Sequence, residues 1–189
     1  ADMLDVRYNV MQWVHRSTRG WSYGATISDP RTGEIIKGHV SLGSLRIRQD
    51  FLIAQALKAP YKNNSKDDDF ALQMAIARIR QLSAHEIGHT LGFAHNFAAS
   101  TNGRTSVMDY PHPKISLKNG KIDFSEAYDD KIGAWDKVTV AYSYQDFPKE
   151  VNEEIELRKI LYDAFASGLR YLTDNDARPL GSASISAHL

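Results

Sequence analysis

The sequence contains no cysteine, which excludes disulfide bonds and a cysteine nucleophile within these residues. It also lacks an excess of charge, because 23 lysines and arginines balance 23 aspartates and glutamates. Bulk electrostatics therefore favours neither a nucleic acid nor an anionic membrane surface as a partner. No hydrophobic run reaches the roughly 20 residues of a membrane-spanning helix. We predict no nucleic-acid partner and no membrane span in this segment.

The residues that are present are typical of one globular domain. The chain has 189 residues, of which 42% are hydrophobic and 24% are charged, so it can bury a sizeable core. It begins at Ala1 without a basic-then-apolar signal segment and ends on "GSASISAHL". We expect it to be a piece of a longer chain.

The first third of the sequence predicts strands followed by a helix. Residues 6–15 are rich in β-branched and aromatic side chains, and two further extended runs flank the turn-forming "DPRTG". The hydrophobic alternation changes phase between Gly43 and Ser44, which predicts a β-bulge within a strand that continues to Ile47. Residues 50–58 predict a short helix that ends before Pro60.

The remaining elements are predicted to be mostly helical. Apolar residues recur at helical spacing from about residue 70 to Gly92, without an intervening proline. Further along, Asn119 and Gly120 separate two alternating runs, which predicts a β-hairpin. Helices are also predicted at 125–144 and 149–169. Their expected core residues are Ile132, Trp135 and Val138 in the first helix, and Val151, Ile155, Leu161, Phe165 and Leu169 in the second.

Three of the seven histidines lie within the stretch "HEIGHTLGFAH". On a helix, His85 and His89 lie one turn apart on the same face, so both imidazoles can reach one metal ion. Zinc accepts imidazole nitrogen, and a catalytic site uses three protein ligands and leaves one position for water. Glu86 lies beside that position, where a carboxylate can take a proton from the water.

The third ligand is close in sequence because of a glycine. Gly92 allows a left-handed turn that ends the helix, after which the chain brings His95 back to the same ion. The five residues form the pattern H-E-x-x-H-x-x-G-x-x-H. With the composition of this chain, the pattern arises by chance in roughly 2 of 100,000 chains. Solvated histidines on a surface helix are therefore a poor explanation.

This motif resembles that of the metzincin zinc endopeptidases. Their second hallmark is a tight turn with a methionine beneath the zinc site, and "SVMDYP" supplies Met108 at this place. In the astacin-like and serralysin-like branches, a tyrosine two residues after that methionine binds zinc or stabilises the oxyanion. Tyr110 stands at this position in the sequence. Its alternative role is that of a core tyrosine that packs the turn.

Segments such as "HTLGFAHNF" resemble most closely a bacterial met-zincin family of exported multidomain proteins, first catalogued as a domain of unknown function. The resemblance implies an α+β, metzincin-like zincin fold, in which a twisted mixed sheet lies over the active-site helix. A mostly helical C-terminal subdomain follows. We expect an upper subdomain at 1–95 and a lower one at 96–189. The resemblance also implies flanking domains on both sides of this segment and a secreted, periplasmic or cell-surface location.

Metzincins bind the substrate along an edge strand that precedes the zinc helix, and residues 38–47 suit that role. The residues that this resemblance implies for substrate binding are Val40, Leu42, Gly43 and Ser44. One departure concerns Asn96, because many metzincins carry an aspartate or another family-marking residue after the third histidine. The substrate rules of the best-known branches are therefore not transferred to this chain.

Other candidate residues have simpler interpretations. The remaining histidines are interpreted as surface or structural residues, although His112 has an alternative role in lining the pocket for the residue after the scissile bond. The four are His15, His39, His112 and His188. The acidic runs at 67–69 and 174–176 offer the oxygen ligands that calcium prefers. Neither run has the spacing of a known calcium loop, which favours solvated loops or helix caps and leaves Ca²⁺ as an alternative cofactor.

The sequence thus predicts a zinc-dependent endopeptidase that acts on a protein or peptide substrate. One catalytic Zn²⁺ is expected on His85, His89 and His95, with Glu86 as general base and Tyr110 as a donor to the oxyanion. Two alternatives stay open. One is a non-catalytic peptide-binding module that keeps the zinc site, and the other is a zinc hydrolase of non-peptide amides.

Overall fold

The fold was obtained as a computed structural model, which describes residues 2–18, 20–58, 69–129 and 131–177. It mixes helices and strands, so the predicted α+β class is confirmed. In chain order the elements are β1 (Val10–Val14), β2 (Tyr23–Ser28), β3 (Ile35–Gly43), α1 (Leu45–Lys58), α2 (Asp69–Thr90), a 3₁₀ helix (Ala99–Asn102), β4 (Ser116–Lys118), β5 (Lys121–Asp123), α3 (Ala134–Tyr144), α4 (Glu153–Ala166) and α5 (Asp174–Ala177).

The chain forms two compact units. The first comprises the described residues of Ala1–Gly92 and His112–Lys131, and the second comprises those of Phe93–Pro111 and Ile132–Leu189. The chain therefore leaves the first unit after α2, the zinc-motif helix that carries His85 and His89, and returns to this unit once. The returning segment carries the short hairpin of β4 and β5.

The sheet of the first unit has three strands in the order β1-β3-β2. Strand β1 is parallel to β3, with Val10 opposite His39, whereas β2 is antiparallel to β3, with Tyr23 opposite Ser41. The prediction that residues 38–47 form an edge strand is wrong, because β3 is the central strand. Its main-chain groups pair with neighbours on both sides and offer no free edge.

The predicted bulge between Gly43 and Ser44 is also wrong. Strand β3 ends at Gly43 and α1 begins at Leu45, so the change of phase marks a boundary between strand and helix. Serine is favoured immediately before a helix, and the Ser44 N–H donates to the Val14 carbonyl. The irregularity in strand register lies instead in β2, between Ile27 and Ser28.

Helix α2 packs against both α1 and the sheet. Val40 and Leu42 of β3 are buried against Leu82 of α2. A second cluster joins α1, α2 and the segment after β5, and its buried members are Ala54, Ala71, Met74, Phe124, Ala127 and Tyr128. These contacts hold the zinc-motif helix in the centre of the first unit.

Strand β2 lies unusually close to α2. A Cβ atom added to Gly24 would lie 2.0 Å from the Glu86 main-chain oxygen and 3.0 Å from the His89 Cβ. Only glycine fits at such a distance, because real Cβ atoms do not approach other heavy atoms closer than about 3.0 Å. The edge strand thus passes directly over the turn of the helix that carries the motif.

The hairpin around Asn119 and Gly120 is confirmed. Both residues have positive φ, 53° and 74° respectively, as a two-residue turn of the primed type requires. Strands β4 and β5 pair antiparallel on either side of them.

In the second unit, α3 and α4 pack around buried Trp135, Ala164 and Leu169. The prediction that Ile132 and Ile155 belong to the core is wrong, since 54% and 60% of their surface is exposed. Both helices are shorter than predicted, and α3 begins only after Gly133. None of the described helices is long and apolar enough to cross a membrane.

Candidate active site

Helix α2 presents the first two histidines on one face. The Nε2 atoms of His85 and His89 lie 3.2 Å apart, and the two rings are nearly perpendicular, at 88°. A tetrahedral zinc ion with Zn–N bonds of 2.0–2.1 Å places two of its ligand atoms about 3.3 Å apart. The observed separation of the two nitrogens therefore fits ligation of a common ion.

Helix α2 ends five residues before His95, the third histidine of the motif. Its last residue is Thr90, and Gly92 follows with φ of 84°, the left-handed conformation. Apart from Gly92 itself and its two chain neighbours, no residue has a heavy atom within 4 Å of the place where a Gly92 Cβ would be. The requirement for glycine at this position is therefore conformational rather than steric.

His95 completes a group of three possible metal ligands. One ligand atom from each of His85, His89 and His95 lies within 4.8 Å of the other two. Among the residues that the structure describes, no other group of three or more histidine, cysteine or acidic side chains could hold an ion. Neutral imidazole nitrogens are the donors that zinc prefers in catalytic sites.

Both ring nitrogens of His95 have oxygen neighbours. Its Nδ1 lies 2.6 Å from Oδ2 of Asp174, and its Nε2 lies 2.8 Å from the Tyr110 hydroxyl. The Tyr110 side chain is 46% exposed, so the alternative role of a buried core tyrosine does not describe it. Sequence reasoning missed the contact with Asp174, because 79 positions separate the two residues.

Glu86, which follows His85 in the sequence, is buried. Burial raises the pKa of its carboxyl to about 7, while a hydrogen bond from the Gly24 N–H and the positive charge of Arg78 oppose this rise. A dication held by the neighbouring histidines would also favour the ionised form. The Gly24 N–H of β2 therefore orients the carboxylate, and a bound dication would keep it ionised, as a general base requires.

Met108 lies buried in a turn that Asp136 stabilises. The Asp136 carboxylate accepts hydrogen bonds from the Ser106 hydroxyl and from the main-chain N–H groups of Val107 and Gly133. The Met108 carbonyl in turn accepts from the Asn96 N–H at 3.0 Å. The methionine turn is thus bonded directly to the residue that follows the third histidine.

The residue that departs from the metzincin pattern makes contacts of its own. Asn96 is fully buried. Its side-chain amide donates to the Arg170 carbonyl and accepts from the Leu172 N–H. The next residue, Phe97, donates its N–H to the Leu172 carbonyl. These bonds tie the third-histidine segment to residues 170–172.

The four residues predicted to bind substrate do not face a free edge. Val40 and Leu42 are buried in the core. The Gly43 N–H donates to the Ser22 hydroxyl, and the Ser44 N–H is bonded to the Val14 carbonyl. This correction follows from the central position of β3. Among the described residues, β2 pairs only with β3, so the open edge near α2 belongs to β2.

The other candidates occupy ordinary positions. The His39 ring stacks on Tyr23, as expected of a structural histidine, and His15 and His112 are exposed. His188 and residues 67–68 lie outside the described residues. In the second acidic run, Asp176 accepts from the Thr173 N–H, which is a capping contact. No acidic cluster that could hold calcium occurs in the described part of the chain.

The site residues from His85 to Asp174 lie within a segment that matches a known family. A family model described as Met-zincin matches residues 67–188, which is more than half of the chain. The chain belongs to the Met-zincin family. No curated protein and no solved structure matches it. Membership of the Met-zincin family, together with the three-histidine group, supports zinc binding and a function of the metallopeptidase type.

Proposed function

We propose that this Met-zincin protein is a zinc endopeptidase that hydrolyses peptide bonds in a protein or peptide substrate. The observation that carries the proposal is the convergence of His85, His89 and His95, with Glu86 next to the first ligand. When bound, a zinc ion supplies Lewis-acid polarisation of the scissile carbonyl and of a water molecule. Three protein ligands leave the open position that this chemistry needs.

Glu86 is proposed to move the proton. Its carboxylate oxygen takes a proton from the attacking water and later delivers it to the nitrogen of the leaving amine. Burial, which raises the pKa of this carboxyl to about 7 without a metal ion, makes the group a stronger proton acceptor. The hydrogen bond from the Gly24 N–H keeps the carboxylate oriented.

Tyr110 is proposed to stabilise the oxyanion. Its hydroxyl lies 2.8 Å from His95 Nε2, on the side of the ring that carries the lone pair available to a metal. A hydroxyl donor at this place can bind negative charge that develops on the carbonyl oxygen of the substrate. The Tyr110 residue is 46% exposed, which supports the approach of a substrate to this side chain.

Strand β2 is proposed to bind the peptide by adding it to the sheet. An extended peptide that pairs with an open edge gains main-chain hydrogen bonds independently of its side chains. The contact between Gly24 and the Glu86 turn of α2 brings this edge beside the general base. A peptide held along β2 therefore passes close to the reacting groups.

The proposal is tested with Glu86→Gln, which keeps the shape of the side chain but removes the base. We expect cleavage of casein or of a peptide library to fall at least about 10²-fold. The control is Glu154→Gln, since Glu154 is exposed on α4, and zinc content is measured for each variant. A Glu86→Gln protein that retains zinc and cleaves at the parent rate would contradict the assignment of the base.

The same assay separates the alternatives. Zinc-loaded parent protein that binds peptides but cleaves none would favour the non-catalytic module. Turnover of small amides in a substrate panel, without turnover of peptides, would favour a hydrolase of non-peptide amides. Cleavage within long peptides, lost in Glu86→Gln, is the outcome that the proposal predicts.

A further inference from the structure

We propose that Asp174 is a positioning residue for the third metal ligand: its carboxylate fixes the tautomer and the orientation of the His95 ring. The inference deepens the proposed function, because it rests on His95 as a zinc ligand. Asp174 lies in the C-terminal part of the chain, far from the H-E-x-x-H pattern in sequence. No position of that pattern or of the methionine turn predicts its role.

The contact itself selects one tautomer. The Nδ1 of His95 and the Oδ2 of Asp174 are 2.6 Å apart, a hydrogen bond in which an ionised carboxylate can only accept. The Nδ1 atom must therefore carry the hydrogen. A neutral imidazole has a single N–H, so Nε2 keeps the lone pair that a metal ion requires. Carboxylate partners of this kind also increase the basicity of the ligand.

Two aromatic rings next to His95 restrict the tilting of its imidazole ring. The Phe97 ring stacks on the His95 ring with centroids 5.2 Å apart and planes 27° apart. The Tyr110 ring lies 4.8 Å away on a tilt of 48°. The hydrogen bond to Asp174 sets the direction within the plane of the imidazole, whereas the two rings oppose its tilting. Only 16% of the His95 side chain is exposed.

The backbone around Asp174 is held at the right distance by Asn96. The Asn96 amide donates to the Arg170 carbonyl and accepts from the Leu172 N–H, while the Phe97 N–H donates to the Leu172 carbonyl. These bonds fasten the chain two residues before Asp174. They also explain why an amide stands after the third histidine, because a carboxylate could not donate to the Arg170 carbonyl.

Loss of the Asp174 carboxylate should weaken metal binding and not only destabilise the fold. Removing the partner of a metal-ligating histidine typically weakens metal binding 10–100-fold. We expect such a loss in Asp174→Ala and a smaller one in Asp174→Asn, whose amide oxygen can still accept from Nδ1. The control Asp176→Asn removes a neighbouring charge from the same short segment, and we expect zinc affinity within about twofold of the parent.

Zinc affinity is measured on the full 189-residue chain by competition with a chelator of known affinity. A loss of about 10-fold or more in Asp174→Ala, with Asp176→Asn near the parent, supports the proposal. Unchanged affinity in Asp174→Ala would overturn it. An equal loss in Asp176→Asn would also overturn it, because the effect would then belong to general charge or to the segment.

A second measurement does not depend on bound zinc. Nitrogen-15 NMR of the histidine side chains in zinc-free protein at about pH 8, where imidazole is neutral, reports which ring nitrogen carries the hydrogen. We expect the Nδ1–H form for His95 in the parent and a weaker preference for it in Asp174→Ala, where the Tyr110 hydroxyl, 2.8 Å from Nε2, still favours this tautomer. An Nε2–H form in the parent would refute the role of Asp174. The Nδ1–H form in a parent that binds no zinc would refute the metal site instead.

Discussion

The close approach of β2 to α2 predicts a large effect for a small substitution, Gly24→Ala. The added methyl carbon would lie 2.0 Å from the Glu86 carbonyl oxygen. Real contacts of this kind begin near 3.0 Å, so the strand must move away from the helix by about 1 Å. Its flanking residues are paired with β3, which resists that movement.

Two costs determine the magnitude. Overpacking of this kind costs about 1–3 kcal/mol, and loss of the hydrogen bond from Gly24 to the Glu86 carboxylate adds about 1.5–3 kcal/mol. The lower entropy of alanine in the unfolded chain offsets about 0.4–1 kcal/mol. We therefore expect the free energy of unfolding to fall by about 1.5–5.5 kcal/mol. Native proteins are typically stable by about 5–15 kcal/mol, so a protein near the middle of that range remains folded after such a loss.

The assay is urea unfolding followed by far-ultraviolet circular dichroism, with a chelator present so that loss of metal does not contribute. The matched control is Gly43→Ala in the same sheet, where the nearest heavy atoms lie at 3.9 Å. We expect this control to be neutral or slightly stabilising. A Gly24→Ala protein within about 1 kcal/mol of Gly43→Ala would refute the close packing of β2 on α2.

Three further predictions concern single side chains. Tyr110→Phe should lower kcat about 10²-fold with little change in KM, because the hydroxyl acts on charge that develops in the transition state. The measurement is steady-state kinetics, and the control is Tyr162→Phe, which changes an exposed tyrosine on α4. An equal fall in kcat in the control would show that the effect is indirect. Asp136→Ala should destabilise the protein by about 2–4 kcal/mol in urea unfolding, since three donors lose their partner. For Tyr128, burial and the Asp50 charge raise the pKa to about 12, so its contribution to stability is present below pH 10 and lost as pH rises towards 12. Relative to Tyr128→Phe, the parent should lose about 1.4 kcal/mol between pH 9 and pH 11, and equal losses in both proteins would contradict the burial of this phenol.

The parts of the fold that depend on neighbouring residues were predictable from the sequence. Helical spacing identified α2, and the pair Asn119 and Gly120 identified the hairpin, because each signal acts within a few residues. The left-handed conformation of Gly92 belongs to the same class. These features follow from local backbone preferences that the rest of the chain does not override.

The parts that depend on distant residues were not predictable. The order β1-β3-β2 places the third strand in the centre, although its alternating pattern is equally compatible with an edge. The exposure of Ile155 depends on which elements cover α4, and a single helical pattern does not contain that information. The bonds of Asn96 and Phe97 to residues 170–172 bring Asp174 to His95, and no spacing rule reveals them.

The central claim is that one metal ion is bound by His85, His89 and His95. Zinc K-edge X-ray absorption of the protein loaded with one equivalent of zinc tests it most directly, because the scattering counts imidazole ligands. We predict three imidazole nitrogens at about 2.0–2.1 Å with oxygen completing the coordination, and two imidazoles in His95→Ala. A parent spectrum with two imidazoles or fewer, or a parent that retains no zinc after dialysis, would contradict it.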